Sequence, residues 1–385
     1  MTEDWQNGGF GLYVHWPFCQ AKCPYCDFNS HVSRQIDQRV WAEAYTREID
    51  RCGHETEGRV LNSIYFGGGT PSLMQPETVA AVIAGARRYW RFANDIEITL
   101  EANPGSAEAD RFTGYRDAGV NRLSLGVQAL NDADLARLGR IHSADEARAA
   151  FALARASFDR VSFDLIYARQ GQSLQEWEAE LTEALAMAAD HLSLYQLTIE
   201  PGTAFGDRHG RGMLRGLPGE DLAADLFELT QDLCRAHGMP GYEVSNHARP
   251  GAESRHNRLY WRAGDYVGIG PGAHGRITLD GRRHATETAP QPGAWLAAVH
   301  GGSGESLRVA LSPEEQAEEF LLMGLRLREG VDTERYARIA GLELPLGPRK
   351  QLSELGLIRD TISNINVTDQ GLMVLNRVIS ELTAA

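Results

Sequence analysis

Short apolar runs alternate with longer amphipathic stretches along the first 240 residues of the chain. The runs are rich in Val, Ile, Leu, Tyr and Phe, and several end at Gly, Asn or Pro, which is typical of strands. The intervening stretches have the length and the apolar spacing of helices. Predicted strands span 11–15, 63–66, 97–101, 122–126, 161–165 and 191–197, and predicted helices span 39–51, 76–89, 144–156 and 174–189.

Strands that alternate with helices form parallel pairs joined by right-handed crossovers. Six such units within about 200 residues are too few for an eight-fold barrel, which typically takes about 250 residues. We therefore predict an α/β fold built on a partial (β/α)6 barrel over residues 1–240. The strand pattern alone leaves an ordinary doubly wound sheet open as an alternative.

Two further segments follow the predicted barrel. Residues 241–310 are rich in glycine and aromatic residues, which predicts a loop-rich connecting region. Ser312, Pro313 and Glu315 form a helix-start signature, which predicts a small, mainly helical, winged-helix-like domain over 311–385 with a strand near 365–367. That segment contains 8 basic and 12 acidic residues, which disfavours DNA binding.

Composition narrows the class of protein. The 385 residues are 43% hydrophobic and 23% charged, which are globular values. The net charge of −14 disfavours a nucleic acid or an anionic membrane as the main partner. No run approaches the ~18 apolar residues of a membrane helix, the N-terminus lacks signal-peptide character, and five cysteines are too few for a disulfide framework. We expect a cytoplasmic protein that is not an integral membrane protein.

Three cysteines cluster directly after the first predicted strand. Cys19, Cys23 and Cys26 form a C-x3-C-x2-C pattern, whereas Cys52 and Cys234 are isolated. Thiolates grouped in a reducing compartment indicate zinc or an iron–sulfur cluster. Structural zinc sites have four protein ligands. Three thiolates on a four-iron cubane instead leave one iron open to an exogenous chelate, as radical chemistry with S-adenosylmethionine requires.

Polar residues and glycines follow other predicted strands at the same edge, where parallel barrels gather their chemistry. Their carboxylate, amide and guanidinium groups suit an amino-acid carboxylate, an amine and a ribose diol. Taken singly, each has an ordinary explanation as a turn or a cap, but their placement on one rim with the cysteines favours a common site. They are the glycine-rich segment 67–71, Glu101, Gln128, Arg140 and Asp164.

The pattern C-x3-C-x2-C followed by GGGTP resembles the radical S-adenosylmethionine superfamily. Further segments are similar to its oxygen-independent coproporphyrinogen III oxidase-like family, and within that to the HemW-type heme chaperones: YVHWPFC, CPYCDFNS, IYFGGGTPS, SLGVQ, LGRIHS, SLYQLTIEPGT, YEVSNHA, RHNRLYW and GIGPGAHG. The resemblance runs from about Gly11 to the C-terminus. It implies a 4Fe–4S cluster on Cys19, Cys23 and Cys26, and S-adenosylmethionine bound by Tyr13, Tyr25, Gly68, Gly69, Thr70, Glu101, Gln128, Arg140 and Asp164.

Local features separate the branches of that family. The oxidases are expected to carry a further cysteine two residues after the third, where this chain has Phe28. They also carry a longer N-terminal extension than the 12 residues that precede Tyr13 here. Both features resemble the chaperone branch. Residues 164–172 depart from the family, because DLIYARQGQ replaces the more usual DLIYGLPGQ and puts Ala168, Arg169 and Gln170 in place of a Gly-Leu-Pro turn.

The segment RHNRLYW matches the H-N-x-x-Y-W pattern that is associated with heme in the chaperone branch. An imidazole can bind heme iron, and aromatic rings can pack on the macrocycle. An ordinary half-buried aromatic cluster is the alternative explanation. His247 and His274 are weaker candidates. The implied heme-binding residues are His256, Asn257, Tyr260 and Trp261.

Three functions remain open at this point. The favoured one is a heme chaperone that transfers heme to acceptor hemoproteins, membrane respiratory proteins among them, and carries a 4Fe–4S cluster with exchangeable S-adenosylmethionine. The alternative is an oxygen-independent coproporphyrinogen III oxidase, a radical decarboxylase of porphyrin biosynthesis. The third is a scaffold whose thiolates bind zinc. The sequence assigns no catalytic residue and leaves the formation of a homodimer open.

Overall fold

The computed structural model describes residues 3–33, 35–105 and 111–383. Its strands are labelled β1 to β16 in chain order: Phe10–Trp16, Phe18–Cys19, His31–Val32, Val60–Gly68, Arg91–Ala102, Arg122–Gln128, Arg160–Tyr167, His191–Gln196, Asn246–Ala248, Asp265–Ile269, His274–Leu279, Arg282–Thr288, Glu305–Ala310, Val331–Asp332, Ile358–Asp360 and Asn364–Val367. Its helices are labelled α1 to α15: Gln38–Glu55, Pro76–Tyr89, Phe112–Ala118, Asp132–Arg137, Ala144–Ser157, Leu174–Met187, Ala204–Gly210, Glu220–Ala236, Arg255–Trp261, Pro292–His300, Pro313–Gly324, Thr333–Ala340, Leu346–Glu354, Asp369–Leu372 and Leu375–Thr383. Within these described ranges, no helix has both the length and the apolar character needed to cross a bilayer.

The strands β1, β4, β5, β6, β7 and β8 lie side by side in chain order, and each neighbouring pair is parallel. They correspond to the six strands predicted from the sequence, and α1, α2, α5 and α6 correspond to the four predicted helices. A doubly wound sheet reverses its strand order partway across. The order here does not reverse across these six strands, so the predicted α/β barrel architecture is confirmed.

The segment 241–310 differs from the loop-rich connector expected for it. It supplies β9 to β13, and β10 pairs with β1 as a seventh parallel strand. The expectation was wrong because some glycines of this segment lie within strands and permit their close approach, while others, such as Gly270 and Gly281, turn the chain between strands. A Cβ on Gly268 would lie 1.9 Å from the carbonyl oxygen of His274, on the neighbouring strand. The whole sheet thus has the order β13-β12-β11-β10-β1-β4-β5-β6-β7-β8-β9.

The two faces of the barrel strands differ in character, because successive residues of a strand point to opposite sides. On β1, the side chains of Phe10, Leu12, Val14 and Trp16 are completely buried in the main hydrophobic core. The other face, called the inner face below, is polar and aromatic and is connected by hydrogen bonds. It carries Tyr13, His15, Ser63, Tyr65, Glu97, Thr99, Glu101, Arg122, Ser124, Ser162, Asp164, His191 and Ser193.

The C-terminal domain has a hydrophobic core of its own and a three-stranded sheet of order β14-β16-β15. Its first helix begins with the predicted capping box, in which Ser312 and Glu315 bond each other's backbone N–H groups. The predicted strand near 365–367 is β16. Arg335 fastens this domain to the rest of the chain, because its guanidinium lies 2.8 Å from Asp4 and donates to the carbonyl of Arg262 at 2.9 Å.

Candidate functional site

The three clustered cysteines lie at the carboxyl ends of the barrel strands. Cys19 ends the short strand β2 and is 8% exposed, and Cys23 and Cys26 are half-buried in the loop that follows. The hydroxyl of Thr70 donates to Cys19 Sγ at 3.4 Å, and Arg140 Nη1 donates to Cys23 Sγ at 3.5 Å. Burial raises the pKa of the Cys19 and Cys26 thiols, and the hydrogen bond from Thr70 opposes that shift at Cys19.

The glycine-rich loop after β4 packs directly against this cysteine loop. Gly69 N donates to the carbonyl of Trp16 at 2.7 Å, and Thr70 N donates to the carbonyl of Phe18 at 2.8 Å. A Cβ on Gly69 would lie 2.7 Å from the carbonyl oxygen of Phe18, so only glycine fits there. The GGGT segment therefore holds the cysteine loop in position through its backbone.

The donor set fits a 4Fe–4S cluster better than a single metal ion. Cys52 and Cys234 are buried in the main hydrophobic core and do not reach the cysteine loop. Among the described residues, no three His, Cys, Asp or Glu side chains are close enough to hold one common ion. A cubane does not require its ligands to meet at one ion, because each thiolate binds a different iron atom. Three thiols in one loop are the set that a cluster with one open iron needs.

The carboxylates implied to bind S-adenosylmethionine lie on the inner face beside this loop. Glu101 accepts a hydrogen bond of 2.8 Å from Tyr65 Oη, and Asp164 accepts one of 3.5 Å from Ser124. Burial raises the pKa of Glu101 to about 7 and that of Asp164 to about 6. Both carboxyl groups can therefore exchange protons near neutral pH, which is unusual for surface carboxyls.

Arg140 connects several of the predicted residues. Its Nη2 donates to Asn103 Oδ1 at 2.6 Å and to the carbonyl of Gly126 at 2.7 Å, while its Nη1 reaches Cys23. Gln128 follows at the end of β6 with a positive φ of 73°, a conformation that turns the chain away from the strand. Tyr25 packs against the Ile166 side of the barrel. The structure thus brings the cysteines, Tyr13, Tyr25, Gly68, Gly69, Thr70, Glu101, Gln128, Arg140 and Asp164 to one end of the barrel.

Two residues of this end were missed by the sequence analysis. Tyr65 donates to Glu101, and Asn103 bonds both Arg140 and Thr70, the latter at 3.3 Å. Strand alternation could have found both of them. Tyr65 lies two residues before the glycine-rich loop, and Asn103 lies two residues after Glu101, so each shares the face of a predicted site residue.

The residues implied to bind heme lie at the opposite end of the barrel. They belong to the helix α9. Glu97, near the start of the barrel part of β5, holds this helix in place, because Glu97 Oε1 accepts hydrogen bonds from Ser254 Oγ and from His256 N, both at 3.2 Å. The Arg326 guanidinium lies over the Trp261 ring, 5.7 Å from the centre of that ring. Of the weaker candidates, His247 is fully buried and His274 is exposed beside Glu287. The motif helix thus lies at the amino end of the barrel strands, and its His256 reaches the inner face beside Tyr13, with ring centres 6.3 Å apart.

His256 itself is an interior residue, only 1% exposed. Its Nδ1 is 2.8 Å from Ser63 Oγ, its Nε2 is 2.5 Å from Tyr260 Oη, and its ring stacks on Tyr65 at 4.8 Å. Both ring nitrogens are thus engaged, so iron ligation by His256 would replace one of these hydrogen bonds. Burial, reinforced by the positive charge of Arg122, lowers the pKa of His256 to about 3.

Replacing His256 by Gln is expected to reduce the acid sensitivity of the fold. The folded state keeps the ring neutral, whereas the unfolded chain binds a proton below about pH 6.5. The contribution of the neutral His256 ring to the free energy of unfolding is present above that pH and is lost as the pH falls toward 3, by about 1.4 kcal/mol per pH unit. Between pH 7 and pH 5, the free energy of unfolding should therefore fall by about 2 kcal/mol less in the variant, as measured by urea denaturation. His274→Gln, which replaces an exposed histidine, is the control, and a slope for His256→Gln equal to those of the wild type and the control would contradict the assignment.

Comparison with known proteins gives two family-model matches along the chain. The model described as the radical SAM superfamily matches residues 13–184, and the HemN C-terminal domain matches residues 311–374. The first range contains the three cysteines and the strands β1 to β7 of the barrel, and the second begins just before α11.

Curated relatives match over nearly the whole chain. Radical S-adenosyl methionine domain-containing protein 1, mitochondrial, from Mus musculus is 40% identical and covers 96% of this chain and 86% of the relative. Heme chaperone HemW from Escherichia coli (strain K12) is 38% identical and covers 96% of both. Among solved structures, the radical SAM enzyme coproporphyrinogen III oxidase (HemN) from Escherichia coli has a TM-score of 0.82 and 22% identity over 98% of this chain and 92% of that one. That structural likeness concerns the fold alone.

Proposed function

The chain belongs to the HemW-type branch of the coproporphyrinogen III oxidase-like family in the radical S-adenosylmethionine superfamily, and from this premise we propose that it is a heme chaperone. In this proposal it binds heme and transfers it, in the cytoplasm, to acceptor hemoproteins that include membrane respiratory proteins. The observation that carries the proposal is the 38% identity to Heme chaperone HemW over 96% of both chains. Phe28, 62% exposed at the position where the oxidases are expected to have a further cysteine, supports the same branch.

We further propose that Cys19, Cys23 and Cys26 hold a 4Fe–4S cluster. The support is a set of three free thiols that receive hydrogen bonds from Thr70 and Arg140. When bound, the cluster supplies one-electron chemistry at its open iron. The Arg140 guanidinium would offset the negative charge of the thiolates, and Thr70 would fix the orientation of the Cys19 side chain.

The neighbouring inner face would hold S-adenosylmethionine. Glu101 and Asp164 would accept hydrogen bonds from its amine and its ribose hydroxyls, and the carbonyls of the glycine-rich loop would complete the amine site. Tyr65 would keep the Glu101 carboxyl turned toward that amine through its 2.8 Å hydrogen bond. Because the pKa of Glu101 is about 7, a positively charged amine would draw its proton away and strengthen the contact.

The proposal is tested by following heme spectroscopically. Anaerobically reconstituted protein should give a stoichiometric, saturable Soret shift when titrated with hemin. Mixing the loaded protein with an apo-hemoprotein should then move the Soret band to that of the acceptor. Absence of a saturable shift would overturn heme binding. Conversion of coproporphyrinogen III to protoporphyrinogen IX under reducing conditions would overturn the chaperone assignment in favour of the oxidase.

A further inference from the structure

A cavity of about 650 Å³ separates the barrel from the C-terminal domain. Tyr242 and Arg258 line it from the barrel side, and Arg328 and Arg359 line it from the C-terminal domain. It lies at the amino end of the barrel, because β9 beside it pairs with the first residues of β8. Pockets of about 300–1,000 Å³ bind organic ligands of cofactor size. We call this cavity the interdomain groove.

Four arginines and three carboxylates line the interdomain groove, and one of these carboxylates, Glu253, lies 3.6 Å from Arg258. Arg235 and Arg328 share the single carboxylate of Asp369, with Arg235 at 3.1 Å. Arg258 shares Glu329 with Arg262, at 3.0 Å and 2.5 Å respectively. Arg359 is exposed and has no ion-pair partner among the described residues. In a chain with a net charge of −14, this groove thus has more guanidinium than carboxylate groups.

Apolar side chains also line the interdomain groove, alongside uncharged polar ones such as Gln231 and Asn366. Pro240, Ala248, Pro250, Leu327 and Val367 contribute apolar surface between the charged groups. Guanidinium groups with apolar side chains between them can contact both the carboxylates and the apolar part of an amphiphilic ligand.

The interdomain groove is also connected to the H-N-x-x-Y-W motif. Arg258 belongs to that motif segment and lines the groove directly. Asn257 Nδ2 donates to Tyr242 Oη at 3.3 Å, and the same hydroxyl lies 3.0 Å from His191 Nε2. Asn257 therefore positions a tyrosine of the groove wall. His256, by contrast, is turned to the barrel interior and does not line the groove.

We infer that the interdomain groove binds the porphyrin of the carried heme, with its two propionates on the arginines and its macrocycle between the apolar walls. The inference rests on the proposed function and deepens it, because it places the cargo between the two domains and away from the cysteines. Asn257 of the motif then acts as a positioning residue for Tyr242, and Arg258, at an unspecified position of the motif, contacts the ligand directly. Arg359 is the guanidinium with no ion pair to displace within the described part of the chain.

The test compares hemin with its dimethyl ester, in which both propionates are uncharged. The full-length chain is titrated with each compound as the wild type, as Arg359→Glu and as Arg338→Glu. Arg338 is an exposed residue of α12 outside the groove, so its reversal makes the same change in net charge in the same domain. Arg359→Glu should weaken hemin binding at least about tenfold, because a charged hydrogen bond becomes a like-charge contact. Arg338→Glu should bind hemin as the wild type does, and the ester should bind all three proteins equally.

The outcomes distinguish failure of the groove assignment from failure of the proposed function. Tight, saturable hemin binding that is the same in Arg359→Glu and Arg338→Glu would overturn the groove assignment and leave the chaperone proposal intact. Equal affinity of the wild type for hemin and its dimethyl ester would do the same. If the wild type shows no saturable Soret shift with hemin, the proposed function itself fails, and the groove assignment fails with it.

Discussion

Cys19→Ala is expected to lower the iron and acid-labile sulfide of the anaerobically reconstituted protein from about four of each per chain by at least about tenfold. Cys19 is one of only three thiols in the cysteine loop, and Thr70 donates a hydrogen bond to it. With the third thiolate gone, a second iron corner loses its protein ligand. The measurement is chemical iron and sulfide analysis, with the charge-transfer absorption of the cluster as a second readout.

Cys234→Ala is the matched control for this experiment. Cys234 is also buried, but it lies in the main hydrophobic core on α8, and burial raises the pKa of its thiol to about 12. A neutral thiol of this kind is no metal ligand, so the control should bind the wild-type amount of iron and sulfide. Full cluster content in Cys19→Ala, or equal losses in both variants, would show that these thiols do not hold a cluster.

Arg169→Met is expected to destabilise the folded state by about 3–5 kcal/mol, because it removes the cation from a buried ion-pair network. Arg169 is 3% exposed, contacts the carboxylate of Glu180 and lies 2.9 Å from that of Asp134. It also donates to the carbonyl of Ile166 at 2.7 Å. Without Arg169, the buried Glu180 carboxylate keeps its hydrogen bond from the backbone N–H of Leu130 but loses its countercharge. Urea denaturation of the two proteins measures the difference.

Arg137→Met tests whether the burial of Arg169 is the cause of the large destabilisation expected for Arg169→Met. Arg137 pairs with the same Asp134 at 2.9 Å, but its side chain is 58% exposed. The loss of an exposed pair changes stability by less than about 1 kcal/mol. A comparable, small effect of both substitutions would refute the idea that the Arg169 network is an important support of this end of the barrel.

The Arg169 network also shows where reasoning from sequence reaches its limit. Ala168 and Arg169 are visible in the sequence as a departure from the family's Gly-Leu-Pro turn. Ala168 nevertheless keeps a positive φ of 57°, a conformation that costs a non-glycine residue about 1–2 kcal/mol. The carboxylates of Asp134 and Glu180, on α4 and α6, hold the turn through Arg169. Such compensation depends on contacts between distant segments, which a local pattern does not contain.

The barrel strands and the cysteine end could be predicted because their determinants are local or follow from topology. Alternation along each strand separates inner-face residues such as Tyr13 from core residues such as Leu12. Parallel strands bring their carboxyl ends together, so Glu101 and Asp164 had to share an edge with the cysteines.

The position of the H-N-x-x-Y-W motif could not be predicted in the same way. The motif lies outside the repeating strand–helix units, so no topological rule assigns it to either end of the barrel. Its position depends on Glu97, whose carboxylate accepts from Ser254 and His256 across more than 150 residues of sequence. The strand β10 was missed for a related reason, because its partner β1 lies at the other end of the barrel sequence.

The pairing of β1 with β10 has a consequence for the synthesis of the protein. Leu12 and Val267 are neighbours in the sheet although about 250 residues separate them. At about 5–20 residues translated per second, the nascent chain carries an uncovered β1 edge for roughly 10–50 s. An open strand edge invites pairing with other chains. Each newly made molecule therefore passes through a stage on the ribosome in which this edge is open to pairing with other chains.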